Sequence, residues 1–297
     1  MKIAAVVCAH NPPPIWRELA AKLCRFPFVE VAVVDDGSTE PLTFPAPDGS
    51  KAPFRLLRLD ANEGLAAART HAMNQIDADW ILYVDADVIP DDAFLESLPV
   101  RLEAEQADGF GFHVTEHHRR SDWDFFRACE RKAVTKRGQV EWVSGVLCAY
   151  RRDALRAVNG FDPAFRTNGE DVDLGYRLTR AGKRLIQIPE VCGEHFRKDS
   201  LRSFLRMHYR YALIAKRVDR SIYFPDGTSP RMLPLFKWES VWPQFRLMFQ
   251  FLRRRPHAFY LPPMVLAAML LGAFRGRRTP RAGTFAREGM NPAPAGP

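Results

Sequence analysis

The chain has 297 residues, 46% of them hydrophobic, which is enough apolar material for a large core and excludes global disorder. Eight of its 43 basic residues and one of its 35 acidic residues fall within 251–288, a local charge of +7, so the rest of the chain carries only +1 of the total +8. The basicity belongs to the C-terminal end and not to the folded body, which excludes a nucleic-acid partner as its explanation.

In chain order, IAAVVCA (3–9) reads as a buried strand. As an N-terminal apolar run it is too short for a signal sequence, which points to a cytosolic start. Pro12 to Pro14 open a helix with Ile15, Leu19 and Leu23 at helical spacing. VEVAVV (29–34) and FRLLRL (54–59) are strands on either side of a Pro-rich loop, Gly64 to Gln75 is a helix, and WILYV (80–84) is a fourth strand. This alternation implies a parallel sheet with helices on both faces, a class that binds ligands beyond the carboxyl ends of its strands.

Further along, DGFGFHVT (108–115) and SGVLCAY (144–150) read as strands and Asp122 to Lys136 as a helix. A short helix led by Asp153 ends before Asn159-Gly160, and GEDVDLGYRLTRAG is an amphipathic helix closed by Gly182. KRLIQIP and EVCGEH are two short strands, and Ser200 to Val218 is a helix. Residues 276–297, rich in Arg, Gly, Pro and Ala, read as disordered. The five cysteines, at 8, 24, 129, 148 and 192, form no C-x-x-C pair and read as free thiols of a reducing compartment.

Four constellations carry chemistry. In VVDDGST (33–39), two carboxylates stand where a buried strand runs into a Gly-Ser turn; they suit a nucleotide base or ribose, with a solvated turn or helix cap as the structural alternative. In YVDADVIPDD (83–92), Asp85 and Asp87 share one face if the strand continues, and a hard divalent cation would relieve their repulsion. In NEGLAAARTHAMN (62–74), Arg69 lies on the second turn of an alanine-rich helix, where an ordinary surface arginine is the alternative. In NGFDPAFRTNGEDVDLGYRL (159–178), Glu170, Asp171 and Asp173 crowd one helix start, more acids than a cap needs. A carboxylate at such a junction is well placed as a general base.

Together with SGVLCAYRRDALRAVNGFD, these motifs resemble family 2 glycosyltransferases of the GT-A fold, over about residues 1–215. The resemblance implies an α/β fold with a mixed, mainly parallel sheet flanked by helices, followed by a C-terminal helical extension. It implies a domain over 1–220, with its nucleotide-sugar half at about 1–100 and its acceptor half at about 101–220, an extension over 221–275 and a tail over 276–297. For the site it implies that Asp36, Cys8 and His10 line the base pocket, that Arg69 lies near base and diphosphate, and that Asp85 meets the ribose. Asp87 and His195 would hold Mg²⁺ or Mn²⁺, and Asp171 would be the catalytic base. The implied partners are a nucleotide-diphospho-sugar donor and a glycan, lipid-linked or small-molecule acceptor. Phe112, His113, Trp123 and Trp142 are acceptor-side candidates by position.

Processive members carry a Gln-x-x-Arg-Trp motif and long membrane helices; here the corresponding helix reads RMHYRYA (206–212) and no run of 18 apolar residues exists, which implies transfer of a single sugar. A sugar-phosphate nucleotidyltransferase should carry a Gly-rich loop where HNPPPIW stands, and a non-catalytic binding protein of this fold should have lost Asp87 or Asp171. In the tail, the longest proline-free apolar run, MVLAAMLLGAF, is 11 residues, too short to cross a bilayer, which takes about 20. With arginines on both sides, it reads as a peripheral helix on the cytoplasmic membrane face, making contact through 253–278, with Phe259, Tyr260, Met264, Leu266 and Leu270 in the lipid; packing of the segment on the catalytic domain is the structural alternative.

Overall fold

The computed structural model describes residues 1–45, 48–133, 137–166, 168–215, 218 and 247–276. The expected disorder of 276–297 falls outside the described residues from 277 onward, as does the part of the expected extension from 221 to 246.

The first half forms as its apolar periodicity requires. Strands β1 (Ile3–Ala9), β2 (Glu30–Asp35), β3 (Phe54–Arg58) and β4 (Trp80–Asp85) pair in parallel, with β1 between β2 and β4 and β3 beyond β2. Successive side chains of a strand point to opposite faces, and the two faces have separate cores. Ala5, Val7, Val33, Leu82 and Val84 pack with Trp16, Leu19 and Leu23 of α1 (Ile15–Cys24). Ala4, Val6, Val34, Ile81 and Tyr83 pack with Ala66, Ala68 and Ala72 of α2 (Leu65–Gln75), whose small side chains let the helix lie close to the sheet.

Beyond β4 the sheet becomes mixed. Its described order is β3-β2-β1-β4-β8-β6-β9-β5, with β7 (Gly138–Val140) against β9. β8 (Leu147–Arg151) is antiparallel to both β4 and β6 (Gly109–Glu116), and β6 is parallel to β9 (Leu185–His195). The two strands expected at 183–195 are one 11-residue strand. Pro189 interrupts the ladder without ending it, because the register shift between Phe112 and His113 absorbs the missing donor.

After β4 the chain turns at Ala86-Asp87 and resumes as β5 (Val88–Pro90), antiparallel to β9. The strand therefore does not continue through Asp87, and the condition for a shared strand face is not met. α3 (Asp92–Ala104), a helix not among the expected elements, buries Phe94, Leu95, Leu98 and Leu102 at helical spacing despite Pro99 within it. The part of the chain after β6 adds α4 (Asp122–Ala133), α5 (Arg152–Ala157), α6 (Glu170–Arg180) and α7 (Leu201–Ile214).

At the C-terminal end, residues 247–254 are helical, and α8 (Leu261–Gly276) follows. Phe126, Phe204, Met207, Phe251, Leu261 and Val265 form a third cluster there. The helical stretch Pro256–Gly276 is 21 residues, long and apolar enough to cross a bilayer, contrary to the 11-residue estimate. Pro262 and Pro263 lie in the first turn of α8, where a missing N–H breaks no helical bond.

Candidate active site

Sheet register brings the sequence motifs to one edge. Cys8 pairs with Asp85, Ala9 with Asp35, and Val84 with Leu147 at the start of antiparallel β8. The 144–146 turn that leads into β8 therefore sits over the carboxyl end of β4, where the Val146 carbonyl accepts the Asp85 N–H at 3.0 Å. Both acids of VVDDGST are buried and engaged with the chain. Asp35 accepts the N–H groups of Ser38 at 2.8 Å and Leu42 at 3.0 Å, and pairs with Arg58. Asp36 accepts from Glu63 at 2.7 Å and Gly64 at 2.9 Å, which ties β2 to the start of α2. The turn-capping alternative is thus fulfilled, and a base contact at Asp36 would use the lone pairs left over. His10 Nδ1 donates to the Asp36 backbone carbonyl at 2.9 Å, and burial pushes the Cys8 thiol up to about 12.

Arg69 is the hub. It is 2% exposed, so the surface-arginine alternative fails. Its Nη2 donates to Asp85 Oδ1 at 2.9 Å and to the Gly145 carbonyl at 2.7 Å; its Nη1 donates to Glu170 Oε1 at 3.3 Å. The guanidinium also lies over the rings of Phe161 and Tyr83, at 5.3 and 5.8 Å. Gly145 in turn gives its N–H to Asp171 Oδ2 at 3.1 Å, while Asp171 Oδ1 accepts from Val172 at 2.9 Å. One buried cation thus joins the end of β4 to the start of α6.

Burial raises Asp85 to about 6; Arg69 opposes the rise, and Asp87 and Asp171 add to it. Burial, then the neighbouring Asp171, raises Glu170 to about 8. The three acids of α6 divide their work: Glu170 meets Arg69, Asp173 pairs with Arg177 at 2.6 Å, and Asp171 faces Gly145.

Asp87 and His195 are brought together by a strand pair. Val88 is in register with His195, which sets His195 Nε2 3.3 Å from Asp87 Oδ1. Behind the imidazole, Nδ1 faces Glu116 Oε1 at 3.0 Å. Glu116 also pairs with Arg131 at 2.6 Å and Arg127 at 3.0 Å. Burial works against its ionisation, but the bond to His195 and the two arginines hold it down at about 2. His195 is raised, against burial, by Asp87 and Glu116.

This arrangement fits a divalent cation. A carboxylate that accepts the Nδ1–H hydrogen bond leaves Nε2 free to ligate, and a ligand imidazole commonly has such a backing. Among the described residues, no three His, Cys, Asp or Glu side chains form a closed cation cage. Two protein ligands suit Mg²⁺ or Mn²⁺ completed by water and substrate phosphates.

Residues 4–158 match the sequence profile of Glycosyl transferase family 2. The chain belongs to that family. It is 30% identical over 216 residues to an N-acetylglucosaminyltransferase of Azorhizobium caulinodans, covering 66% of this chain and 54% of that one. It is 28% identical over 240 residues to the pre-mycofactocin glycosyltransferase of Mycobacterium tuberculosis, covering 78% and 50%. The chain thus spans about half the length of these curated relatives. Its fold matches the mannosyltransferase PcManGT of Pyrobaculum calidifontis, solved in complex with GDP-Man and Mn²⁺, with a TM-score of 0.56, 18% identity, and 92% and 75% of the two chains covered. The fold is GT-A, a mixed and mainly parallel sheet with flanking helices and a C-terminal helix.

In this family 2 chain, Cys8, His10, Asp36 and Asp85 lie along one strand edge, Arg69 of α2 and Asp171 of α6 reach it through Gly145, and the β5–β9 pairing brings Asp87, in the turn before β5, to His195. The acceptor-side candidates separate. Phe112 is a core residue, 3% exposed, with its ring against Phe94, because it points to the sheet's inner face. Trp123 is tied by Nε1 to the Asp199 carbonyl, whereas Trp142, packed on Gly175 of α6, is 39% exposed. Glu116 was missed, although it has the signal that marked Asp85, an acid at the end of an apolar strand. Phe196 was missed as well: its N–H donates to the Asp87 carbonyl at 2.7 Å, and its ring stacks on His117 at 4.1 Å.

Proposed function

We propose that this chain is an inverting, metal-dependent glycosyltransferase. It moves one sugar from a nucleotide-diphospho-sugar (a UDP-, GDP- or dTDP-sugar) to an acceptor hydroxyl in cell-envelope polysaccharide, glycolipid or other glycoconjugate biosynthesis. The observation that carries the reading is the Arg69–Gly145 bracket: Arg69 grips Asp85 and the Gly145 carbonyl, and the Gly145 N–H grips Asp171. Acids far apart in sequence are thereby tied to one backbone turn, Asp85 to serve a donor and Asp171 an acceptor. The activities named for the two relatives support the transferase class. The domain over 1–220 does the chemistry, at the cytoplasmic face of a membrane.

On the donor side, Asp36, Cys8 and His10 hold the base, and Asp85, oriented by Arg69, meets the ribose. A divalent cation, Mg²⁺ or Mn²⁺, held by Asp87 and His195 supplies Lewis-acid stabilisation of the charge that develops on the diphosphate. On the acceptor side, Asp171 is oriented by the N–H groups of Gly145 and Val172, which leaves lone pairs for the acceptor hydroxyl. Asp171 takes the hydroxyl proton as that oxygen bonds to the anomeric carbon from the face opposite the diphosphate. The bond from that carbon to the diphosphate breaks, and the single displacement inverts the centre.

The test is a panel of UDP-, GDP- and dTDP-sugars with Mn²⁺ and hydroxyl acceptors. Release of nucleoside diphosphate with a β-to-α or α-to-β change at the sugar supports the reading. Retention of configuration, or formation of nucleotide-sugar and pyrophosphate from a nucleoside triphosphate, overturns it.

A further inference from the structure

Helix α8 is apolar around its circumference, yet only one stripe of it is covered. Leu261, Val265, Gly272 and Gly276 are buried. The two glycines let α8 lie directly on α7: a Cβ at Gly272 would stand 2.2 Å from the Tyr209 carbonyl oxygen, and one at Gly276 2.6 Å from that of Leu213. The other stripe faces outward, with Leu266, Leu270 and Leu271 at 57%, 54% and 50% exposed, and Phe259, just before the helix, at 72%. An all-round apolar helix with half its surface open is a binding surface or a liability.

The neighbouring helix shows what covers it. Arg202, Arg206 and Arg210 recur every four residues on α7, so they form one exposed row. With Leu205, Ala268 and Leu271 they line a groove of about 490 Å³ between α7 and α8. Among the described residues, none of the three guanidiniums has a hydrogen bond or ion pair. By contrast, Arg255, His257 and Tyr260 at the hinge are all anchored to Asp122, at 3.2, 3.1 and 3.1 Å, so Tyr260 belongs to the body and not to the exposed stripe.

We propose that the joint α7–α8 face docks on an anionic phospholipid bilayer, with the three α7 arginines on lipid phosphates and the α8 leucines in the interfacial layer. A parallel cationic row and apolar stripe match a surface whose charge lies just outside its hydrocarbon. A second copy of this chain fits less well, because a two-fold contact sets the patch against itself and brings the arginine rows together. α7 begins at Leu201, six residues after His195, so docking brings the His195 end of β9 toward the bilayer surface.

The experiment is flotation of the full chain with phosphatidylglycerol or phosphatidylcholine vesicles, at low and high salt. It reads binding alone, so its outcome is independent of whether the chain transfers sugar. The parent should float with phosphatidylglycerol, and weakly or not at all with phosphatidylcholine or in high salt. Arg202→Gln, Arg206→Gln and Arg210→Gln combined should reduce partitioning on the order of 100-fold, and Leu266→Ser, Leu270→Ser and Leu271→Ser combined should also abolish flotation. The replaced arginines are exposed, so an unchanged circular dichroism melt accompanies that loss even if the leucine variant folds poorly. Absence of flotation with phosphatidylglycerol, equal flotation with both lipids, or binding unaffected by the arginine replacements overturns the proposal. So does a dimer in sedimentation that the leucine variant dissolves, which would give the face to a second copy.

Discussion

Glu116→Gln removes one charge and almost no volume from the support behind His195. The Glu116 side chain is fully buried and faces Arg127, Arg131 and His195. Its folded carboxyl is held at about 2 against an ordinary 4.5, a difference of roughly 2.5 pKa units, or about 3 kcal/mol of stability at neutral pH. That agrees with the about 3–5 kcal/mol lost when one partner of a buried ion pair is removed. Because the folded value is depressed, this stability is present above pH 4.5 and is lost as pH falls through about 2. Urea denaturation should therefore show the variant about 3 kcal/mol less stable at pH 7, with the gap narrowing by about 1 kcal/mol at pH 4. With its backing weakened, His195 should also lose roughly 10–100-fold in Mn²⁺ affinity, read from the electron paramagnetic resonance signal of free Mn²⁺. Equal urea midpoints together with equal Mn²⁺ affinity would refute both the network energetics and the positioning role of Glu116.

Asp87→Ala should abolish sugar transfer while leaving the far-UV circular dichroism of the parent, with some loss of stability because buried His195 loses its partner; full activity in this variant, or in EDTA, contradicts the metal assignment. Asp171→Asn should lower turnover by roughly 10²–10⁴-fold, with donor affinity retained in a titration calorimeter; loss of donor affinity with turnover would make Asp171 a binding residue. Burial raises the Glu170 carboxyl from 4.5 to about 8, so the stability present below pH 4.5 is lost progressively as pH rises through 8. Glu170→Gln does not titrate, so relative to the parent it should gain stability steadily from pH 5 to pH 8 and already be the more stable protein at pH 7. A variant that melts far below the parent at pH 7 shows that Glu170 is ionised there.

The sequence by itself determined the parallel first half of the sheet. The strands at 3–9 and 80–84 are continuous apolar runs and that at 29–34 is broken only by Glu30, and such runs record burial on both sheet faces whatever their partners, whereas the half-buried terminal strand at 54–59 carries Arg55 and Arg58. The acids at 35–36, 85–87 and 170–173 were legible for the same reason: charge directly after buried runs, or crowded at one helix start, stands out locally. The partners of those acids were decided only by tertiary structure. Arg69 reads locally as one more helical arginine; its burial follows from the 144–146 turn and Phe161 closing over it from more than 70 residues away. His195 meets Asp87 through the β5–β9 pairing, and β5 is three residues long, too short to leave a periodic signal. α3 was hidden by Pro99, and Pro189 split one strand into two apparent ones, because a local pattern records the missing donor and not the register shift that accommodates it. The C-terminal apolar run announced itself in sequence, but which half of α8 is covered depends on where α7 lies, and that position was set by Gly272 and Gly276 meeting backbone carbonyls across the helix pair. Periodicity carries the burial of each element, and the pairings that assemble the site come from contacts that no local window contains.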